Sequence, residues 1–270
     1  MKHKIISSLC IRNEEWILIK ALDILSVFSD KIIILDDNST DNTKEICLSY
    51  NKVDYEDWPI RDNMILRQEG LRKQRNIDRI SKYNPDYVLF LDADEIPTPS
   101  IINFIEDIDE NVNLWSFPWF HLWGDEEHFR VDSFVTDFGV SVKSDPFNGG
   151  QRKGHLMKYD ISIDYMFDIS KHKSVPMEPM NVPQPHSTTD DVGIVHYGKI
   201  RNSFLNGEKN KYYAQIEAQT QNYNYEQRIA HHESCRSEKT LQLRKLDPLM
   251  KDWSKYGINT EVNYDKDVGN

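Results

Sequence analysis

Cysteine is scarce in this chain: Cys10, Cys47 and Cys235 are the only three among 270 residues. They are odd in number, scattered and in no metal-ligand spacing. That excludes a disulfide framework and a cysteine-based zinc site, and predicts free thiols in a reducing compartment. Positive charge is also short: 33 Lys and Arg against 44 Asp and Glu leave a formal charge of −11. Such a balance argues against general nucleic-acid binding, which depends on cationic side chains displacing counterions from phosphates. Long apolar runs are missing as well. No segment approaches the ~20 apolar residues a membrane span needs. The apolar stretch near the N-terminus is interrupted by Arg12, Glu14 and Glu15 before a signal-peptide core can form. The expectation is a soluble, cytoplasmic protein without internal repeats or low-complexity tracts.

What is present is enough for a core. Hydrophobic residues make up 39% and charged residues 29%, which predicts one large domain, or one domain with an appendage. Three short apolar runs are each followed at once by polar or acidic residues. Ile5 to Ile11 ends in Arg12-Asn13-Glu14-Glu15, Ile32 to Leu35 in Asp36-Asp37-Asn38-Ser39-Thr40-Asp41, and Tyr87 to Leu91 in Asp92-Ala93-Asp94-Glu95. Continuous rather than alternating hydrophobicity predicts strands buried on both faces, as in a parallel sheet covered by helices.

Helical spacing appears between them over Glu15 to Phe28, Thr40 to Tyr50 and Glu69 to Lys82, the last stopped by Asn84-Pro85. This β-α-β-α order predicts a doubly wound α/β sheet, in which ligands bind beyond the carboxyl ends of the strands. All three polar clusters then meet on one rim. From about residue 114 to 197 the chain is aromatic-rich, with turn signals such as Asn148-Gly149-Gly150, and predicts short strands and long loops. Pro176 to Pro185 reads as an ordered loop. Beyond residue 200 the expectation is a helical C-terminal extension, with helices over Tyr212 to Gln221 and Tyr225 to Leu246. The division is thus 1–200 for the α/β domain and 201–270 for the extension, which buttresses the sheet and offers a surface for a homodimer.

The strongest chemical signal is Asp92-Ala93-Asp94 at the end of a buried strand. Two carboxylates one residue apart in a turn can face one cavity, and a hard divalent cation takes one or two carboxylates plus substrate phosphates. Asp36-Asp37 at the end of the second strand can accept hydrogen bonds from a nucleobase and ribose, while Ser39, Thr40 and Asp41 suit helix capping. Arg72, Arg75, Asn76 and Arg79 share one helical face that suits a diphosphate. His196 follows a second short apolar stretch, and a neutral imidazole is a good metal ligand. Trp119 and Trp123 suit stacking on sugar rings or filling core. His231-His232 reads as surface, and Cys10 as a small core residue.

Together, the first strand with Arg-Asn-Glu-Glu, the I-I-I-L-D-D-N-S-T-D segment, the helix bearing Arg72-Lys73-Gln74-Arg75-Asn76, and F-L-D-A-D-E resemble a family 2 glycosyltransferase of the GT-A fold, over residues 3 to 120 and more loosely to 200. The resemblance implies a mostly parallel GT-A sheet. It also implies an enzyme moving a sugar from a nucleoside diphosphate sugar, usually a UDP-sugar, to a saccharide or other hydroxyl acceptor, with Mn²⁺ or Mg²⁺. By matching position, Ile11 and Asn13 border the nucleoside, Asp36 or Asp37 contacts the base and Arg75 faces the nucleotide. Asp92 lies near the ribose and metal, Asp94 coordinates the metal, and His196 adds a ligand. Trp123-Gly124-Asp125-Glu126-Glu127 resembles a W-G-x-E-[DE] pattern, which makes Asp125 and Glu126 candidates for the general base. The chain has Leu9-Cys10-Ile11-Arg12-Asn13 where many relatives have Pro-Thr-Tyr-Asn, so the stacking aromatic is missing.

Two other readings compete. A haloacid-dehalogenase-like phosphatase would use Asp92 as nucleophile with Asp190 and Asp191 as later ligands, although two β-α units precede the motif here. A non-catalytic nucleotide-sugar-binding module would keep the fold without turnover.

Overall fold

The computed structural model describes residues 2–58, 69–135, 141–160, 184–200, 224–234 and 240–259, with positions 211, 214, 215 and 218. The first half alternates strand and helix: β1 (Ile5–Ile11), α1 (Glu15–Phe28), β2 (Lys31–Asp36), α2 (Thr43–Leu48), β3 (Val53–Asp57), α3 (Glu69–Ile80) and β4 (Tyr87–Leu91). Then come β5 (Glu95–Pro97), α4 (Ile101–Glu106), β6 (Leu114–His121), β7 (His128–Arg130), β8 (Ser133–Val135), β9 (Ser141–Lys143) and β10 (Arg152–Lys158). The last elements are β11 (His186–Thr188), β12 (Ile194–His196), α5 (Tyr225–Ser234) and β13 (Leu243–Lys245).

Among the described residues, the main sheet runs β3-β2-β1-β4-β10-β6-β12-β5, with β11 also on β6. The first four strands are parallel, and β10 is antiparallel to both β4 and β6. The result is a mixed, mostly parallel α/β sheet of the GT-A kind. The three expected strands are present. β4 is buried along its whole length, and β1 and β2 nearly so, as continuous apolar runs require when helices cover both faces. On one face α1 packs Ile17, Ala21, Leu22, Ile24, Leu25 and Phe28 into the larger core. On the other, Ile77 and Ile80 of α3 meet Ile6, Ile33 and Val88.

Several expectations need correction. Strand β3 is not expected from the sequence: Val53 to Glu56 lie half-buried at the sheet edge and make no continuous apolar run. Helix α2 starts at Thr43 rather than Thr40, since residues before it serve the turn: Asp41 Oδ1 accepts the Thr43 N–H at 3.1 Å. Helix α3 ends at Ile80 in a short 3₁₀ turn, and Asn84 adopts a left-handed φ of 45° ahead of Pro85. The helix expected from Tyr225 to Leu246 stops at Ser234. Leu243–Lys245 is instead a strand on β7, with Val131 N donating to the Gln242 carbonyl and Leu246 N to that of Glu127. The C-terminal segment is thus woven into the body, and Trp253 is fully buried and stacks on Phe28 of α1. His231 and His232 are half-buried rather than surface residues. Of the expected Tyr212–Gln221 helix only Ala214, Gln215 and Ala218 are described, all of them helical, while most of the Pro176–Pro185 loop and Cys235 fall outside the described residues.

Candidate functional site at the carboxyl edge of the sheet

Strand register decides which acids can meet. Leu9 of β1 lies level with Ile34 of β2 and Leu91 of β4, and Ile11 with Asp36. Ile34 and Leu91 are therefore level and two strand spacings apart, roughly 10 Å, and β2 runs on past that level to Asp36. Asp36-Asp37 and Asp92-Ala93-Asp94 leave the sheet on the same rim.

On the β2 side the loops lock each other. Asn13 takes a left-handed φ of 53°; its N–H donates to Ser39 Oγ at 2.8 Å, and its Oδ1 accepts from Thr40 N at 2.8 Å. Ile11 is core, and its carbonyl accepts the Asp37 N–H. Asp36 is 1% exposed and turned inward. It accepts from Ser39 N and Ser39 Oγ, and Tyr55 Oη lies 2.8 Å from its Oδ2 and 2.6 Å from Asp57 Oδ1. A phenol has one proton to donate, and burial raises the Asp36 pKa against these hydrogen bonds. Asp37 is the outward acid of the two: Arg72 Nη1 lies 2.8 Å and Arg12 Nη1 3.8 Å from its Oδ2.

The arginines do not form one solvated face. Arg72 and Arg79 are buried. Arg79 reaches Asp54 and the Ile34 carbonyl. Arg75 pairs through two nitrogens with Glu56 near the end of β3, at 2.8 and 3.0 Å, so Arg72 rather than Arg75 stands against Asp37.

On the β4 side the two acids separate. The Asp92 side chain is 41% exposed, and its Oδ2 lies 3.4 Å from Lys153 Nζ. Lys153 donates to Glu95 Oε1 at 2.8 Å, and Glu95 Oε2 accepts the Asp92 N–H at 2.9 Å. Burial opposes charge on both partners. Even so, the neighbouring acids hold the Lys153 pKa above the ordinary lysine value, and Lys153 with His155 holds that of Glu95 below the carboxylate range. Asp94 is turned the other way, with His196 Nε2 3.5 Å from its Oδ2.

Register explains why His196 is there. β12 lies between β6 and β5, pairing His196 with His121 on one side and Glu95 on the other. Side-by-side residues share a face of the sheet, so the three side chains form a row. His121 Nδ1 is 2.9 Å from His196 Nδ1, and His121 Nε2 is 3.0 Å from Gln151 Oε1. Burial first, then the His196 charge, keeps the His121 pKa well below the usual histidine range. Trp119 walls the pair, with ring centroids 4.3 Å from His121 and 5.1 Å from His196. Its Nε1 is buried without a hydrogen-bond partner among the described residues.

A divalent cation can be tested against this geometry. Among the described residues, no three His, Cys, Asp or Glu side chains converge as a ready-made cage. Asp94 and His196 are two donors, and two neighbouring ligands of an octahedral cation at about 2.1 Å sit about 3 Å apart. Gly198 lies against them: a Cβ there would fall 2.4 Å from Asp94 Oδ2 and 2.8 Å from His196 Nε2, so any side chain at this position would displace the two donors. The residues fit a cation that completes its shell with phosphate and water, with Asp94 and His196 as protein ligands and Asp92 already balanced by Lys153.

The carboxylates expected to act as base already have partners. Asp125 Oδ1 accepts the Glu127 and His128 N–H groups at 2.8 Å each, and the carboxylate also holds the His128 ring. Glu126 Oε2 lies between Lys251 at 3.5 Å and buried Lys20 at 3.8 Å. Both build the loop after β6. Sequence reading missed Lys153, Glu95, His121, Gln151 and Gly198. The Glu95 signal was its place directly after D-x-D, and His121 follows Trp119 at the strand period of two.

Comparison with curated sequences gave no match. Solved structures with related folds include glucosyl-3-phosphoglycerate synthase from Mycobacterium tuberculosis, at 22% identity and TM-score 0.33 over 46% of each chain. S. aureus TarS 1-349 matches at 13% identity and TM-score 0.47, over 85% of this chain and 70% of that one. A 4-diphosphocytidyl-2C-methyl-D-erythritol synthase matches at 11% identity and TM-score 0.38, over 58% and 76%. The alignment to the first spans less than half its length. No helix of the described residues is long and apolar enough to cross a membrane. The profile of glycosyl transferase family 2 matches residues 9–152, which takes in the β1, β2 and β4 rim and both acidic motifs. The chain belongs to glycosyl transferase family 2.

Proposed function

We propose that the protein transfers a sugar from a nucleoside diphosphate sugar, of the UDP type, to a hydroxyl acceptor, with Mn²⁺ or Mg²⁺ held by Asp94 and His196. The observation that carries this reading is that a carboxylate oxygen of Asp94 and an imidazole nitrogen of His196 face each other 3.5 Å apart at the carboxyl edge of the sheet. When bound, the cation supplies neutralisation of the charge that develops on the diphosphate leaving group.

The chain's own groups do the rest. Lys153 fixes the Asp92 carboxylate toward the rim, where it can accept from ribose hydroxyls. Asp37, backed by Arg72 and Arg12, faces the nucleoside side, while Asp36 and Asn13 hold the loop that presents it. Trp119 walls the sugar side and packs against His121 and His196. Asp125 and Glu126 shape the acceptor loop. Their existing partners argue against either as the base that takes the acceptor proton.

The phosphatase reading loses support. Asp190 pairs with Arg152, and Asp191 Oδ2 accepts from Thr189 Oγ1 at 2.9 Å, so neither is poised for a metal beside Asp92. Calorimetry with UDP, with and without Mn²⁺, followed by donor turnover, tests the proposal. Metal-dependent UDP binding with transfer supports it. Phosphate release through an acyl-phosphate on Asp92 would establish the phosphatase instead, and UDP binding without turnover a binding module.

A further inference from the structure

We propose that His121 and Gln151 are positioning residues that set the tautomer of His196, so that its unprotonated Nε2 faces Asp94 and the cation; this rests on the cation reading above. The chain of reasoning runs from the outside inward. Gln151 is anchored where its backbone carbonyl accepts the Trp119 N–H at 3.2 Å, and its side-chain Oε1 lies 3.0 Å from His121 Nε2. A carbonyl oxygen only accepts, so His121 carries its hydrogen on Nε2. A neutral imidazole has one such hydrogen, which leaves His121 Nδ1 with a lone pair. At 2.9 Å that lone pair accepts from His196 Nδ1–H. The other nitrogen of His196 is then bare. It faces Asp94 Oδ2 at 3.5 Å, and two electron-rich atoms at that separation suit a cation that both ligate. Without Gln151 the relay has no fixed sense, and His196 could turn an N–H toward Asp94, which would leave no lone pair there for a metal.

Metal-bound histidines are commonly oriented by an acceptor on the second nitrogen. Here the acceptor is another histidine, whose own state is set one residue further out. Trp119 packs against both rings, which stand at 86° to each other.

The test begins without metal. Nitrogen-15 spectra of the histidine side chains in the native protein should show His196 with hydrogen on Nδ1 and His121 with hydrogen on Nε2; the opposite tautomers would overturn the proposal. Mn²⁺ affinity in the presence of UDP is then compared by calorimetry. Gln151→Leu and His121→Phe should weaken it by about 10- to 100-fold, whereas Gln151→Glu, which keeps an acceptor, should restore near-native affinity. Unchanged affinity in Gln151→Leu would overturn the positioning role while leaving the cation site standing. No Mn²⁺ binding by the native protein would overturn both.

Discussion

Lys153 Nζ donates to Glu95 Oε1 at 2.8 Å with both side chains out of water, and the same ammonium stands 3.4 Å from Asp92 Oδ2. One buried cation thus balances a structural acid and orients an acid of the D-x-D motif. Lys153→Met leaves Glu95 buried without its counter-charge and should lower stability by about 3–5 kcal/mol, measured by urea unfolding at neutral pH. The double variant Lys153→Met/Glu95→Gln should recover much of that loss. If it does not, the cost lies in packing rather than in charge.

At Gly198 the requirement is space. Its φ lies outside the left-handed region, so alanine is tolerated by the backbone, but its Cβ would stand 2.4 Å from Asp94 Oδ2. Gly198→Ala should reduce Mn²⁺ affinity by roughly 100-fold or more and abolish metal-stimulated turnover, the loss expected when a protein ligand is blocked. Circular dichroism should remain native. Asp94→Asn should match it in both respects. Native metal affinity in Gly198→Ala would show that the cation lies elsewhere.

The arginines of α3 divide by burial. Arg72 is 3% exposed and holds Asp37, whereas Arg75 is 46% exposed and paired with Glu56. Arg72→Met should weaken UDP binding by about tenfold, or about 1.4 kcal/mol, and Arg75→Ala by less than about twofold on the same scale. Titration calorimetry separates them, and the reverse order would return Arg75 to the nucleotide.

Lys20 gives a pH signature. It is buried on α1, where its Nζ donates to Tyr197 Oη at 2.9 Å. Desolvation, partly offset by Glu126, lowers its pKa from 10.5 to about 8. Below pH 8 both folded and unfolded chains are protonated there, and the burial penalty is fully present. Between about 8 and 10.5 the folded protein releases this proton while the unfolded chain retains it. Stability should therefore rise through that window, by about 3 kcal/mol in total. Lys20→Met should lack this rise. Denaturant midpoints at pH 7.5 and pH 10 compare the two, and parallel pH dependence would contradict the assignment.

The elements legible in the sequence were those whose burial leaves a continuous signature. Tyr87–Leu91 is apolar throughout, and Ile5–Ile11 except for the buried Ser7 and Ser8, because helices cover both faces, so their bounds and the acids at their ends could be read directly. Edge elements carry no such signal: β3 is half-buried, and the charged Leu243–Lys245 strand is ordered by pairing with β7. The site divides in the same way. Asp92 and Asp94 sit where a strand visibly ends. Lys153, His121 and Gly198 owe their roles to an antiparallel β10 and to β12 inserting between β5 and β6, and long-range pairing of that kind leaves no local mark. Arg72 and Arg75 share helical spacing, yet only contact with Asp37 or Glu56 tells them apart.

The insertion of β12 has one further consequence. Asp94 belongs to the N-terminal half of the fold, while His196 arrives only after the chain has traversed β6 through β11. The proposed ion, gripping both side chains, would act as a non-covalent staple across that long excursion, and the open chain offers no equivalent pair. Because a ligand confined to the native state stabilises it in proportion to the logarithm of its concentration, the free divalent metal around the protein would govern how long the molecule stays intact as well as how fast it works.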